Sequence, residues 1–165
     1  MSKRDFCLDQ MHPSLSEFKA HIRITSNDMD GDLLAKLFAA TTAAEQMIGQ
    51  TIALSRFTLA APFSTRIDLD RTPAVRVVSV KVDGVTVDGS LYSLDGNAVV
   101  FDESVEGEQA VIVYEAGWED VPYDVRAAIL MHAAALFNNP VDSVEGLPKA
   151  STNLLRPYRN WEIGR

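Results

Sequence analysis

The sequence has one cysteine, Cys7, so it can form no internal disulfide and its fold requires no oxidising compartment. Flanked by Phe6 and Leu8, that thiol reads as buried or incidental rather than reactive. No apolar run approaches the roughly 20 residues a membrane helix needs, and the opening MSKRDFCLDQ lacks the apolar stretch of a signal peptide. A soluble chain that stays where it is made, with no membrane partner, is therefore expected. Basic residues are also scarce: 15 Lys and Arg stand against 23 Asp and Glu, a net charge of -8. Such a balance repels phosphate backbones and excludes sequence-independent nucleic-acid binding, although an acidic wall still lets a polyanion slide past.

Chemistry-bearing patterns are missing as well. The only histidines are His12, His21 and His132, there is no Gly-x-Ser-x-Gly elbow, and no His-x-x-x-His or Cys-x-x-Cys spacing occurs. His132 falls on an apolar helical stripe and reads as a satisfied core histidine, whereas His21 has charged neighbours and reads as a surface residue. The acidic run Asp28-Met29-Asp30-Gly31-Asp32 resembles half of a calcium loop. With Gly31 at the invariant glycine, however, Ser26 falls at the first ligand position and Leu37 where a bidentate Glu is required, so helix capping explains these acids better. No glycine-rich run ends in Gly-Lys-Ser or Gly-Lys-Thr. No catalytic, cofactor or metal set is assigned, and the chain is read as non-enzymatic.

What is present is an ordinary globular composition. At 165 residues, 47% hydrophobic and 23% charged, the chain reads as a single domain 1–165. A chain of that size buries roughly 70% of its unfolded surface. Ser14-Leu15-Ser16-Glu17 is a capping box, followed by Leu15, Phe18 and Ile22 at helical spacing, which predicts a helix near 14–24. A second helix near 30–48 begins around Asp28 or Asp30, carries Leu33, Leu37, Ala40, Ala44 and Met47 on one line, and stops at Gly49. From 52 to 116 the texture turns to Val and Thr, punctuated by Asp83-Gly84, Asp88-Gly89 and Asp95-Gly96. These pairs favour tight turns between antiparallel strands, so residues 50–117 read as a β-rich insert. Between 75 and 82, alternation separates Arg76, Val78, Val80 and Val82 from Val75, Val77, Ser79 and Lys81, one face meeting the core and the other solvent or a neighbouring subunit. A third helix near 121–138, with Asp120 as candidate cap and Pro122 in its first turn, has the stripe Val125, Ile129, His132 and Leu136 and enough alanine for close packing on the 30–48 helix. A short helix near 151–156 completes an α+β fold, a small helical bundle with an antiparallel β insert. Residues 139–165 are a loop and C-terminal docking segment. Trp161 and Ile163 there have little chain left to cover them and dock on their own domain or on another chain. Arg156 and Arg159 suit either an acidic partner surface or a solvated terminus.

Three blocks resemble the head-tail connector (adaptor) proteins of tailed bacteriophages, in the form of the longer members with a central β insert. They are Ser14 to Ile24 with the following helix to Ile48; Tyr114-Glu115-Ala116-Gly117-Trp118 with Val121-Pro122 and Ala127-Ala128-Ile129-Leu130; and Asn153-Leu154-Leu155-Arg156-Pro157-Tyr158-Arg159. Pro140 stands where many relatives carry arginine, so no contact is carried over to that position. The resemblance implies a structural virion component, assembled in the host bacterial cytoplasm. It implies a homo-oligomeric ring of about a dozen copies, since a cyclic assembly needs two complementary faces per subunit. That ring would sit on the phage portal protein, extend the DNA channel without specific nucleic-acid binding, and dock stopper or tail-completion proteins. On this view the 141–165 segment is loose in the free subunit and orders on assembly, with Leu154, Leu155, Tyr158 and Trp161 as apolar anchors and Arg156 and Arg159 steering. The competing reading is a monomeric ligand- or peptide-binding module without catalysis.

Overall fold

The computed structural model describes residues 2–6, 13–139 and 146–159. The fold is α+β, and its residues divide into two compact units, each built from two separate stretches of chain. One, the β unit, comprises residues 1–9 and 53–119; the other, the helical unit, comprises 10–52 and 120–165.

In the β unit, strands β1 (Lys3–Phe6), β2 (Ser55–Pro62), β4 (Ala74–Val82), β5 (Val85–Thr86) and β8 (Gln109–Ala116) form an antiparallel sheet in the order β1-β2-β8-β4-β5. Strands β3 (Arg66–Asp68), β6 (Tyr92–Asp95) and β7 (Ala98–Phe101) form a second sheet in the order β3-β7-β6. Inward-facing Phe57, Leu59, Val80, Ile112 and Tyr114 of the first sheet form one buried core with Ile67, Leu69, Val99 and Phe101 of the second stretch. Each such large side chain, fully buried, contributes roughly 1.5–3 kcal/mol. Two of the three Asp-Gly pairs act as expected: Asp83-Gly84 joins β4 to β5 and Asp95-Gly96 joins β6 to β7. Asp88-Gly89 does not join strands. Asp88 instead caps a single 3-10 turn over Gly89–Leu91, its side chain accepting from Ser90 N–H.

Strict alternation fails on β4. Its pairing with β8 slips between Ala74 and Arg76 and again between Val77 and Ser79, so Val75 and Val78 are extra residues at two β-bulges. Each bulge resets the phase by one position. Val77 consequently packs towards the core beside Val80 and Val82, while Arg76 and Val78 turn outward, Val78 being 41% exposed. Strand β1 was not anticipated either, because four residues containing Lys3, Arg4 and Asp5 show no apolar alternation; they are recruited by pairing with β2.

The helical unit holds α1 (Leu15–Ile22), α2 (Asp30–Ile48), α3 (Tyr123–Asn138) and α4 (Lys149–Leu155), with one 3-10 turn over Arg156–Tyr158. Helix α1 has the expected capping box: Ser14 Oγ accepts from Glu17 N–H at 3.3 Å and Glu17 Oε2 accepts from Ser14 N–H at 2.7 Å. It ends earlier than expected because Arg23 adopts a left-handed conformation. Helix α2 ends at left-handed Gly49, as expected. Its N-cap is Met29, without a side-chain hydrogen bond, because Asp30 lies inside the first turn and accepts from Lys19 Nζ at 2.7 Å. Helices α2 and α3 pack together, burying Leu33, Leu37, Ala40 and Ala44 on one and Val125, Ala128, Ile129 and Ala133 on the other. The N-cap of α3 is Pro122, and Asp120, the expected cap, accepts from Arg126 instead.

Candidate assembly surfaces

The C-terminal residues singled out by sequence lie on the helical unit. Leu155 is fully buried, Leu154 half-buried, and Arg156 and Arg159 exposed. Tyr158 is half-buried; its hydroxyl donates to both carboxylate oxygens of Asp124 at 2.8 Å and its carbonyl accepts from Gln50 Nε2 at 3.4 Å. The Asp124 hydrogen bond, helped by burial, raises the Tyr158 hydroxyl above its usual range. Where a loose segment was expected, residues 149–159 therefore form a helix and a turn tied to α2 and α3 of the same unit. Leu155 and the Tyr158 hydroxyl are engaged within the chain, and the guanidinium-bearing Arg156 and Arg159 are what this segment turns outward. Trp161 and Ile163 lie outside the described residues, as do Cys7, His12 and most of the 141–148 loop.

A second constellation, which sequence reasoning did not assemble, occupies the outer face of the five-stranded sheet. Strand pairing sets Arg56 on β2 and Arg76 on β4 on either side of Glu115 on β8. Arg56 Nη2 donates to Glu115 Oε1 at 3.0 Å; Arg76 Nε donates to Oε2 at 2.7 Å and Nη2 to Oε1 at 3.2 Å. Glu115 is only 7% exposed. The Arg76 guanidinium holds its carboxyl below the usual carboxylate range, against the opposing effect of burial and with help from Arg56. Lys3 and Lys81 are exposed on the same sheet, with Lys3 paired to Thr58 and Lys81 to Val111. The one signal in the sequence was Arg76 interrupting an apolar run, and the bulges that place it beside Glu115 leave no local signature.

A third feature sits at the start of α3. Arg126 donates to the Val121 carbonyl at 2.8 Å and to Asp120 Oδ1 at 3.1 Å, lies 3.6 Å from Glu17 Oε1, and places its guanidinium 5.6 Å from the centre of the Tyr123 ring. Tyr123 is 88% exposed, an aromatic held over a fixed cation. An open groove of about 630 Å³ lies along α1 and its link to α2, lined by Leu15, Ala20 and Ile24 with Lys19 and Asp30 at its polar side.

Among the described residues no three His, Cys, Asp or Glu side chains come together as a metal site, and no helix is long and apolar enough to cross a membrane. His21 is exposed, as expected. His132 is buried, as expected, but not satisfied: its Nδ1 has no hydrogen-bond partner among the described residues. Burial pushes its pKa down, disfavouring the protonated ring.

No protein-family model matches the chain, nor does any curated protein. Solved structures do. The neck of an empty gene transfer agent particle, computed with C6 symmetry, matches with a TM-score of 0.74 at 19% identity over 99% of this chain and 97% of that one. The virion of the native gene transfer agent particle matches with the same values. The neck of the native particle, computed with C12 symmetry, matches with a TM-score of 0.74 at 18% identity over the same shares. The likeness is one of fold, end to end.

Proposed function

We propose that this chain is a structural component of the neck of a phage-like particle, where copies of it form a homo-oligomeric ring. The observation that carries this reading is the end-to-end likeness to chains of gene transfer agent necks, resolved there with C6 and C12 symmetry. Coverage of 97% of the matched chain leaves little of that neck protein without a counterpart here. The sequence resemblance to head-tail connectors points the same way from separate residues. In this reading the ring seats on a portal protein, extends the DNA channel, and offers its far side to stopper or tail-completion proteins. Arg156 and Arg159, presented by a segment already folded against α2 and α3, are its contribution to an acidic partner surface. The net charge of -8 suits a wall past which DNA moves without adhering.

Light scattering behind size exclusion, followed by co-sedimentation with a portal ring, tests the reading. A closed multimer of about a dozen subunits, or retention on the portal, supports it. A protein that stays monomeric and is not retained overturns it. The groove beside α1 favours a second reading, a monomeric module that takes an apolar peptide. Peptide binding by a chain that neither associates nor joins a portal would establish that alternative.

A further inference from the structure

We propose that the exposed ring of Tyr123 in one subunit seats in the groove along α1 of the next copy of the chain, an inference that rests on the ring reading. Tyr123 stands at the first position of α3 and is 88% exposed. It is nevertheless held in place. The Arg126 guanidinium lies 5.6 Å from its ring centre and is itself tied to the Val121 carbonyl and to Asp120. An exposed tyrosine parked against a fixed arginine loses little freedom on binding, and these two residue types dominate the energy of protein interfaces. Burying such a ring removes about 150–250 Å² from water.

The groove matches that side chain in size and chemistry. Its walls are Leu15, Ala20 and Ile24, while Ser16, Thr25 and Asp30 add hydrogen-bonding groups suited to a phenol hydroxyl. Sites that hold a drug-sized ligand measure about 300–1,000 Å³, so a groove of about 630 Å³ admits a tyrosine side chain with room for its helix neighbours. Met29, 41% exposed, directly precedes Asp30 and adds apolar surface on the same link. Knob and groove lie on opposite flanks of α1. Glu17, 3.6 Å from Arg126, and Lys19, which lines the groove, are two positions apart, about 200° of helical turn. Each copy therefore presents two different patches, as a repeating head-to-tail contact requires. The charged groups of each patch are already paired: Lys19 donates to Asp30 at 2.7 Å, and Arg126 pairs with Asp120 and Glu17. Neither patch calls for a highly charged partner, and a second copy supplies the aromatic that fits. Apolar burial drives the contact, so raising salt should not dissolve it.

Site-directed cross-linking in a Cys7→Ser chain tests this. Ala127→Cys marks the knob, one helical turn from Tyr123, and Thr25→Cys marks the groove; neither change removes Tyr123 or an apolar wall. The two single-cysteine chains are mixed, alone at high protein concentration and on a portal ring, and treated with a short bis-maleimide. The expected product is a mixed dimer with one cysteine of each kind, while either chain alone gives none and a chain carrying both cysteines gives a ladder of multimers. Tyr123→Ala and Ala20→Glu, both at exposed positions, should each lower the mixed-dimer yield roughly tenfold or more at limiting protein concentration, with circular dichroism unchanged. Rings or portal-bound chains that form without the mixed dimer, or with like pairs instead, overturn the contact and leave the ring reading intact. Yields untouched by both substitutions do the same. A groove cysteine that links to the portal chain assigns the groove to that partner and overturns the contact as well. Protein that neither associates nor is retained on the portal overturns both the contact and the ring.

Discussion

Gly117 and Glu115, two residues apart, are fixed by opposite kinds of constraint. Gly117 has φ +129°, and a Cβ placed on it would lie 2.7 Å from Leu54 Cα and 2.8 Å from Leu54 N. The neighbours are backbone on a partner segment, so nothing cheap can move aside. Gly117→Ala is expected to lower the unfolding free energy by about 2 kcal/mol or more, combining left-handed strain with the close approach, as read from urea denaturation. Glu115 is buried, but the partners that charge it are open to water: Arg56 and Arg76 side chains are 46% and 66% exposed. Solvent screening limits the value of the cluster, and Glu115→Gln is expected to cost about 1 kcal/mol near neutral pH. Because Arg76, ahead of Arg56, holds the folded-state pKa below the ordinary 4.5, this stabilisation is present above that value and is lost as pH falls through the lower folded-state pKa. The difference between wild type and Glu115→Gln should therefore shrink between about pH 6 and about pH 3. A difference unchanged over that range would show that the charge contributes nothing. The sequence announced Gly117, in its Ala-Gly-Trp setting, more clearly than Glu115, because a residue's own backbone need is local and a cross-strand clamp is not.

Helices α1 and α3 and strand β4 show which elements a sequence can declare for itself. Both halves of the α1 capping box lie within four residues, so the box was legible, and Ser14→Ala should cost about 1 kcal/mol of stability, measured by thermal or urea unfolding. The buried stripe of α3 was legible from its 3.6-residue period. What the period could not show is that His132 would be enclosed with Nδ1 unpartnered. Burial depresses its folded-state pKa below 6.5, so the neutral ring is at no disadvantage above that value, while below it the unfolded chain takes up the proton more readily. Stability should fall as the pH drops below about 6.5, and His132→Leu, which gives up no hydrogen bond at Nδ1, should remove that part of the slope without destabilising the protein at pH 7.5 or so. A slope identical in both proteins would assign it to other groups. On β4 the residue types declared a strand correctly, but the two bulges at Val75 and Val78 arise from pairing with β8, and only the partner fixes their position. For the same reason β1 was invisible until β2 was there to receive it.

For the molecule as a whole, the chain passes from β unit to helical unit, back, and out again, since each unit is made of two separate stretches. Composition shows where texture changes, near residues 50 and 117, and that much was read correctly as helices flanking β structure. It does not show that residues 3–6 belong with the strands, because a four-residue polar segment carries no period. Charge is the whole-molecule property that sequence does reveal, and its division could be seen only once the units were known: the β unit carries -6 and the helical unit, with eight basic and ten acidic residues, carries -2. The basic residues of the outer sheet face are thus few, and carboxylates lie among them. Counterion release on binding DNA scales with the number of phosphates neutralised, and four cations, two of them already shared with Glu115, neutralise few. The surrounding net charge of -8 opposes even those contacts, and it does so most strongly at low ionic strength, where screening is weakest. The protein is accordingly expected to leave a DNA duplex unretarded in a gel shift at low salt. Glu115→Gln, by freeing one unit of positive charge on the face, should not change that result. Retardation of DNA by the wild type would show that local cations override the global field, and it would overturn the proposal of a wall past which DNA moves without adhering.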